Sequence, residues 1–185
     1  MLEAFRWSSG LVTLVWCVAL LNGLTGYALN HLGLLPRDPH SIPWLPIWVL
    51  LHADLTHLLV NTLPLYYMSF FVALRGPRLF LKVTVFVTLA AGLAVWLAGR
   101  SAIHIGASGL IFGYFGFLLA IAFYEQDFRT RLVDLSIASV TLFYYGGLFM
   151  GLVPVEPRVS YEAHFFGFCA GLLAARLFSG RFLRR

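Results

Sequence analysis

The chain has 185 residues, of which 60% are hydrophobic and only 11% are Asp, Glu, Lys or Arg, with a formal net charge of +5. A soluble domain carries about 25% charged residues, and a small soluble core could not hide so much apolar surface. The composition therefore excludes an ordinary soluble protein and favours one that lies in the bilayer. The positive charge is typical of a basic rim beside anionic lipid and requires no nucleic-acid partner.

Six apolar stretches approach the length of about 20 residues that a helix needs to cross the hydrocarbon core. The sequence therefore predicts an all-α, polytopic membrane bundle of six helices, in one domain over residues 1–185. The predicted spans are 11–29, 55–74, 79–98, 107–124, 132–152 and 163–178. The first stretch is longer than the apolar part of a signal peptide, and no small-x-small cleavage site follows it, so we expect an uncleaved anchor.

The basic residues predict the orientation, because cytoplasmic loops carry an excess of Lys and Arg. Ten of the 13 basic residues fall on one side of the predicted spans, together with both termini, which we therefore expect in the cytoplasm. These ten are Arg6, Arg75, Arg78, Lys82, Arg129, Arg131, Arg176, Arg181, Arg184 and Arg185, and the other three are Arg37, Arg100 and Arg158.

Polar side chains at membrane depth are costly, so each is a candidate for function. At the start of the second span, His57 and Asn61 are four residues apart and share one helix face, where both offer hydrogen-bond donors. His52 lies at the entrance to this helix, and Asp54 is expected to act as an N-terminal helix charge. The alternative is a polar seam that joins helices.

The fourth span opens with a Gly-x-Ser-Gly motif that contains Ser108. A serine at a helix start has free backbone N–H groups and the positive end of the helix dipole nearby, which suit a developing oxyanion. The alternative is simple packing, because Gly109, Gly113 and Gly116 form a strip of small residues of the kind that lets membrane helices approach closely.

In the sixth span, His164, Gly167 and Gly171 share one helix face. If this face packs on the glycine strip of the fourth span, His164 approaches Ser108, which is 164 − 108 = 56 residues earlier. The pair would then supply a nucleophile and a general base that works near pH 7. Glu162 is two residues from His164 and therefore on another face, so we expect a dyad and not a triad.

These motifs resemble those of rhomboid intramembrane serine proteases of the minimal six-helix bacterial type, and the resemblance covers about residues 10–180. The matching motifs are His52-x4-His57-Leu-Leu-x-Asn61, Gly106-Ala-Ser108-Gly109 and His164-x2-Gly167-x3-Gly171, on the family's second, fourth and sixth helices in the family's order. The resemblance implies a bacterial inner-membrane protease that cuts transmembrane proteins, with membrane lipid around it and without a metal or cofactor.

The resemblance also implies individual roles: Ser108 as the nucleophile, His164 as the base, and an oxyanion hole formed by the Ser108 backbone N–H with His57 and Asn61. Phe112 takes the position of an aromatic ring that packs on the catalytic imidazole, where the family usually has tyrosine. The other candidate site residues are Gly106, in substrate binding, and His52, Gly109 and Gly167, in support.

Two segments outside these motifs also match. Residues 31–51 correspond to a loop that lies partly in the outer leaflet, and Trp44 and Trp48 suit an interfacial position there. The fifth span corresponds to a lateral gate, and we expect Gly146, Gly147 and Gly151 to weaken its outer half. A lipid-facing aromatic belt is the alternative for this span. His104 is expected to be a loop residue, and the alternative is a functional hydrogen bond.

Other functions remain open at this point. The chain could be a catalytically silent relative that binds membrane proteins, although the presence of both Ser108 and His164 argues against it. A haem or metal protein could use His52, His57, His104 and His164, but none of them has the HExxH spacing. A transporter is not favoured, because the sequence contains no evident inverted repeat.

Overall fold

The computed structural model describes residues 1–153 and 159–179, which form a bundle of six α-helices. These are α1 (Leu2–Leu24), α2 (Leu55–Ala73), α3 (Pro77–Ala98), α4 (Ser108–Tyr124), α5 (Phe128–Tyr145) and α6 (Tyr161–Phe178). Short 3-10 helices lie at Ala28–Leu32, Pro39–Trp44, Trp48–Leu50 and Gly146–Leu152. Within the described residues there is no β-strand, and the all-α prediction is confirmed.

Four helical segments are long and apolar enough to cross a membrane, namely Leu2–Leu24, Leu55–Ala73, Pro77–Ala98 and Phe128–Leu152. The shorter α4 has 17 residues, most of them buried by the helices around it. This is the architecture of a polytopic membrane protein, as the sequence predicts. Arg158 and the arginines at 181, 184 and 185, which the orientation argument uses, lie outside the described residues.

The first helix differs from its predicted range of 11–29 at both ends, since α1 runs from Leu2 to Leu24. Its early turns contain polar residues, but Ser8 is buried and its hydroxyl donates to the carbonyl of Ala4 at 3.0 Å, so the helix continues through it. The helix stops where Gly26 takes a left-handed conformation with φ of +63°, which a glycine adopts without steric cost.

The contact between α4 and α6 is built on glycines, as the sequence predicts. A Cβ atom added to Gly167 would collide with the backbone carbonyl of Gly109, and one added to Gly171 would collide with that of Gly113. Only glycine therefore permits the two backbones to touch. Because Gly109 follows Ser108 directly, and Gly167 lies one turn beyond His164, this contact positions the two motifs beside each other.

In the loop between α1 and α2, the position of Trp48 differs from the one that the sequence favours. The sequence favours an interfacial position for Trp48, but its side chain is fully buried, and its indole Nε1–H donates to the carbonyl of Thr88 at 3.1 Å. A Cβ atom on Gly109 would lie 2.6 Å from the Trp48 ring. Trp48 is therefore a core residue that packs against α3 and against the helix turn carrying Ser108.

The least buried helix is α5, in which only Asp134 and Thr141 are buried. Arg75, just beyond α2, pairs with Asp134 and also with Glu125, the latter at 2.9 Å. One end of α5 is thus tied to the bundle by a partly buried ion-pair network. At the other end the α-helix gives way to a 3-10 helix at Gly146, as expected from the glycines there.

Candidate active site

Ser108 is the first residue of α4, and its side chain is partly exposed. The residue that caps the helix is Ala107, whose side chain offers no oxygen to the first N–H groups. These N–H groups therefore remain available to an external anion. Gly106 precedes them with φ of +118°, a conformation that residues with a Cβ atom rarely adopt.

His164 is buried in the first turns of α6, with 8% of its surface exposed. Its Nδ1 lies 2.8 Å from the carbonyl oxygen of Gly151. A carbonyl accepts only, so Nδ1 carries a proton, and in the neutral imidazole Nε2 keeps a free lone pair. This is the tautomer that a general base needs.

The imidazole of His164 is held on its face as well as on its edge. The ring of Phe112, one turn after Ser108, stacks on it with centroids 4.2 Å apart and an interplanar angle of 8°. Ser108 and His164 thus lie on adjoining turns of two helices in backbone contact. In the described part of the chain, the Ser108 hydroxyl and His164 do not form a hydrogen bond with each other.

His57 and Asn61 lie on one face of α2, as their spacing predicts. Asp54 caps this helix by accepting the backbone N–H of His57 at 2.8 Å, which confirms its expected role. Asn61 donates one amide hydrogen to the carbonyl of His57 at 2.9 Å and keeps a second. His57 lies against Gly106, where an added Cβ atom would be 2.7 Å from Nε2.

The protonated nitrogen of His57 follows from its other contact. Its Nδ1 lies 3.4 Å from the backbone N–H of Ala53 and accepts from it, so the proton resides on Nε2. Nε2 lies on the side of the ring that faces Gly106, two residues before Ser108. The His57 imidazole therefore offers an N–H donor beside the Gly-x-Ser-Gly turn, and the Asn61 carboxamide, one turn further along α2, offers another N–H on the same helix face.

His52 is hydrogen-bonded to the backbone of the Gly-x-Ser-Gly turn. Its Nδ1 donates to the carbonyl of Leu50 at 3.3 Å, and its Nε2 accepts the backbone N–H of Ala107 at 3.5 Å. Burial, with the nearby His57, lowers the pKa of His52 to about 4. The ring is therefore neutral near pH 7 and holds the residue that precedes Ser108.

Glu162 contacts Arg100, as suits a residue on a different helix face from His164. One of its carboxylate oxygens accepts the backbone N–H of Arg100 at 3.2 Å and lies 3.7 Å from the Arg100 Nε. Within residues 1–153 and 159–179, we find no cluster of three or more His, Cys, Asp or Glu side chains arranged to hold a metal ion.

Three contributors to the site were missed by the sequence reasoning. They are the Gly151 carbonyl that binds His164, the Trp48 ring under Gly109, and a hydrogen bond between His104 and Ser160. Each joins segments far apart in the chain, so no local pattern signals it. The one local signal in the sequence is that His104 lies four residues before Ser108.

Comparisons with a family model and with individual proteins point to the same family. A model of the rhomboid domain matches residues 44–181. An uncharacterized protein of Mycobacterium tuberculosis is 36% identical over 177 residues, which cover 91% of this chain and 72% of the relative. A putative rhomboid protease of Bacillus subtilis is 29% identical over 131 residues, 70% of this chain and 63% of the relative.

A eukaryotic relative extends the comparison. The rhomboid-type serine protease 2 of Saccharomyces cerevisiae is 29% identical over 177 residues, which cover 89% of this chain and 64% of the relative.

Proposed function

Since the chain belongs to the rhomboid family, we propose that it is an intramembrane serine protease that hydrolyses peptide bonds in or near transmembrane segments of other membrane proteins. Ser108 is the nucleophile and His164 the general base. The observation that carries the proposal is the hydrogen bond from His164 Nδ1 to the Gly151 carbonyl, because it leaves Nε2 free to take the serine proton.

The proposed reaction uses residues already described. His164 Nε2 removes the proton from Ser108 Oγ as the oxygen attacks the scissile carbonyl. The oxyanion that forms accepts hydrogen bonds from the Ser108 backbone N–H, from His57 Nε2 and from Asn61 Nδ2. The imidazolium then protonates the leaving amine, and a water molecule, activated by the same base, hydrolyses the acyl-enzyme.

The helical packing supports a rigid dyad. Catalysis by proximity requires reacting atoms to be held close to the attack geometry, and the glycine contact between Gly109 and Gly167 fixes the two helices within a turn of both residues. No metal or cofactor enters this chemistry. The proposed substrates are transmembrane proteins, and the surrounding partner is membrane lipid.

We also propose a bacterial inner membrane as the location, with both termini in the cytoplasm. Arg75 pairs with Glu125 and Asp134, so the basic turn after α2 and the start of α5 lie at the same end of the bundle. Arg176 lies in the last turn of α6, which leads to the C-terminus. Reporter fusions at both termini test this orientation.

The function is tested with purified protein, a panel of single-span membrane proteins and a fluorophosphonate probe for reactive serines. Ser108→Ala and His164→Ala should each abolish cleavage, and the double variant should be no worse, because the two residues act as one unit. Exposed Ser136 and His40 supply the matched controls, Ser136→Ala and His40→Ala, which should keep full activity.

Two outcomes would contradict the proposal. Cleavage that persists in Ser108→Ala would exclude Ser108 as the nucleophile. A native protein that neither labels nor cuts any member of the panel would instead indicate a silent relative that binds membrane proteins.

A further inference from the structure

His104 and Ser160 have the same spacing along the chain as the two residues of the proposed dyad. His104 lies four residues before Ser108, and Ser160 lies four residues before His164. The Nδ1 atom of His104 and the Oγ atom of Ser160 are 2.6 Å apart. A direct hydrogen bond therefore joins the segment that leads into α4 to the segment that leads into α6.

The position of His104 is fixed by other contacts on its own side. Its backbone N–H donates to the Leu34 carbonyl at 2.8 Å, and its carbonyl accepts the Leu34 N–H at 3.0 Å. Its Nε2 lies 3.1 Å from the carbonyl of Arg100 and must donate to it. The side chain is 1% exposed, so the ring has little freedom to move.

These contacts define the direction of the hydrogen bond to Ser160. Because Nε2 carries the proton, Nδ1 of the neutral ring is an acceptor, and the Ser160 hydroxyl donates to it. Burial lowers the pKa of His104, which keeps the ring in this neutral form. The lone pairs of the Ser160 hydroxyl remain free to accept.

Ser160 uses that capacity to cap α6. Its Oγ accepts the backbone N–H of Ala163 at 3.2 Å, and its carbonyl accepts the backbone N–H of His164 at 3.2 Å. The first turn of α6, which carries His164, is thus hydrogen-bonded to His104 through one side chain. A chain of contacts runs from Leu34 through His104 and Ser160 to His164.

We propose that His104 is a positioning residue, which sets the place of His164 relative to Ser108 through its hydrogen bond to Ser160. The inference rests on the proposed protease function. The nearby contact of Glu162 with Arg100 ties the same turn to the α3–α4 loop, but Glu162 is two residues from His164 and lies on a different helix face. The His104 contact therefore aligns the base, whereas the Arg100 contact only tethers the helix.

The test measures the rate at which the fluorophosphonate probe labels Ser108, together with kcat and KM for a transmembrane substrate. In His104→Leu both the labelling rate and kcat should fall by about tenfold, the equivalent of one buried hydrogen bond, with KM unchanged. His104→Asn should recover much of the rate, since its amide oxygen lies near the position of Nδ1 and can accept from Ser160. The exposed His40 supplies the control His40→Leu, which should match the native protein.

A double-mutant cycle separates positioning from general loss of stability. Ser160→Ala removes the same hydrogen bond from the other side, so His104→Leu combined with Ser160→Ala should be no slower than the slower single variant. Ser160→Thr keeps the hydroxyl and should retain activity. Amide exchange at residues 160–164 should be faster in His104→Leu.

Labelling and kcat that stay at the native level in folded His104→Leu, or single effects that simply multiply in the double variant, would overturn the positioning role alone. A native protein that neither labels nor cleaves would overturn the protease proposal and the positioning role with it. The two failures are therefore distinguishable.

Discussion

The ring of Phe112 lies flat on the imidazole of His164, with centroids 4.2 Å apart and planes within 8° of parallel. The same imidazole donates from its edge to the Gly151 carbonyl at 2.8 Å. The stack restricts tilting of the ring, and the hydrogen bond restricts rotation in its plane. His164 is therefore held with Nε2 in one direction.

This stack leads to the first prediction. Phe112→Leu keeps an apolar side chain but loses the flat face, and aromatic contacts of this kind contribute about 0.5–1.5 kcal/mol. We expect kcat to fall by up to about tenfold, with little change in KM. Phe117→Leu, another fully buried phenylalanine of α4, is the control and should lower thermal stability without a comparable loss of kcat. Equal effects on kcat would indicate that Phe112 only fills the core.

The second prediction concerns the N–H donors of α2. His57→Ala and Asn61→Ala should each lower kcat by about 10²–10³, which is the usual effect of removing one oxyanion donor. The measurement is steady-state cleavage of a transmembrane substrate, with Leu59→Ala on an exposed position of the same helix as the control. A rise in KM at constant kcat would mean that the two side chains bind substrate without stabilising the oxyanion.

The third prediction tests the glycine contact between α4 and α6. A Cβ atom on Gly171 would collide with the backbone carbonyl of Gly113, whereas a Cβ atom on Gly10 in α1 meets nothing within 4 Å. Gly171→Ala should therefore lower the thermal midpoint in detergent, by overpacking that costs about 1–3 kcal/mol. Gly10→Ala should leave the midpoint unchanged or slightly higher. Equal midpoints for the two variants would refute a tight backbone contact.

The helices and the glycine ridges could be predicted from the sequence because both depend on the spacing of residues that are close together in the chain. Hydropathy identifies α2, α3 and α4 closely, and the glycines at i, i+4 and i+7 identify the faces that touch. The start of α1 was missed, since polar residues such as Ser8 break the apolar run, although its hydroxyl is satisfied within the helix.

The parts of the site that could not be predicted from the sequence depend on contacts between distant segments. Tryptophan is a residue type typical of the membrane interface. The burial of Trp48 depends on Gly92 and Gly109, where the missing side chains leave room for its ring. His104 pairs with Ser160, 56 residues away, and Gly151 contributes a backbone carbonyl that no side-chain pattern reveals. Such contacts follow from the fold and not from the local sequence.

The fourth prediction is a pH dependence of stability. Unfolded His52 binds a proton near its ordinary pKa of about 6.5, whereas the folded protein binds it only near pH 4 because the ring is buried. As the pH falls through this window, the unfolded state binds more protons, so stability must decrease. The stabilising effect of the neutral ring is present above about pH 6.5 and is lost towards pH 4.

The variant His52→Gln measures this contribution, because its amide oxygen can still accept the Ala107 N–H but does not titrate. The thermal midpoint of the native protein in detergent should fall from pH 7.5 to pH 5, and the slope should be shallower in His52→Gln. Some slope should remain, since burial lowers the pKa of His104 as well. Identical slopes would show that His52 does not carry the proton-linked change.

The fifth prediction is that α5 and the first part of its 3-10 extension, up to Phe149, form the gate through which a transmembrane substrate enters, while Gly151 keeps its hydrogen bond to His164. The helix is tied at one end by Arg75 and Asp134 and is little buried beyond it. Phe149, in the extension, packs against Phe115 and Phe168 with ring centroids 5.1 and 5.8 Å away. It therefore faces α4 and α6, unlike Phe143, which is 82% exposed.

Phe149→Ala should loosen this contact and raise the cleavage rate of a transmembrane substrate, with less effect on labelling of Ser108 by the small probe. Phe143→Ala, in the same segment but directed outward, should change neither rate. Reduced cleavage and reduced labelling in Phe149→Ala would instead mean that the side chain only stabilises the fold.

A cross-link gives the opposite test of the gate. The rings of Tyr67 on α2 and Tyr145 on α5 have centroids 6.4 Å apart, so α2 and α5 are in contact here and cysteines at these two positions can be joined by a bifunctional thiol reagent. The native Cys17 and Cys169 are exposed and must first be replaced by alanine. With α5 held to α2, cleavage of transmembrane substrates should be blocked while the small probe still labels Ser108, and cleavage of the reagent-free double-cysteine protein should be normal. Full-rate cleavage by the cross-linked protein would place the substrate entrance somewhere other than between α2 and α5.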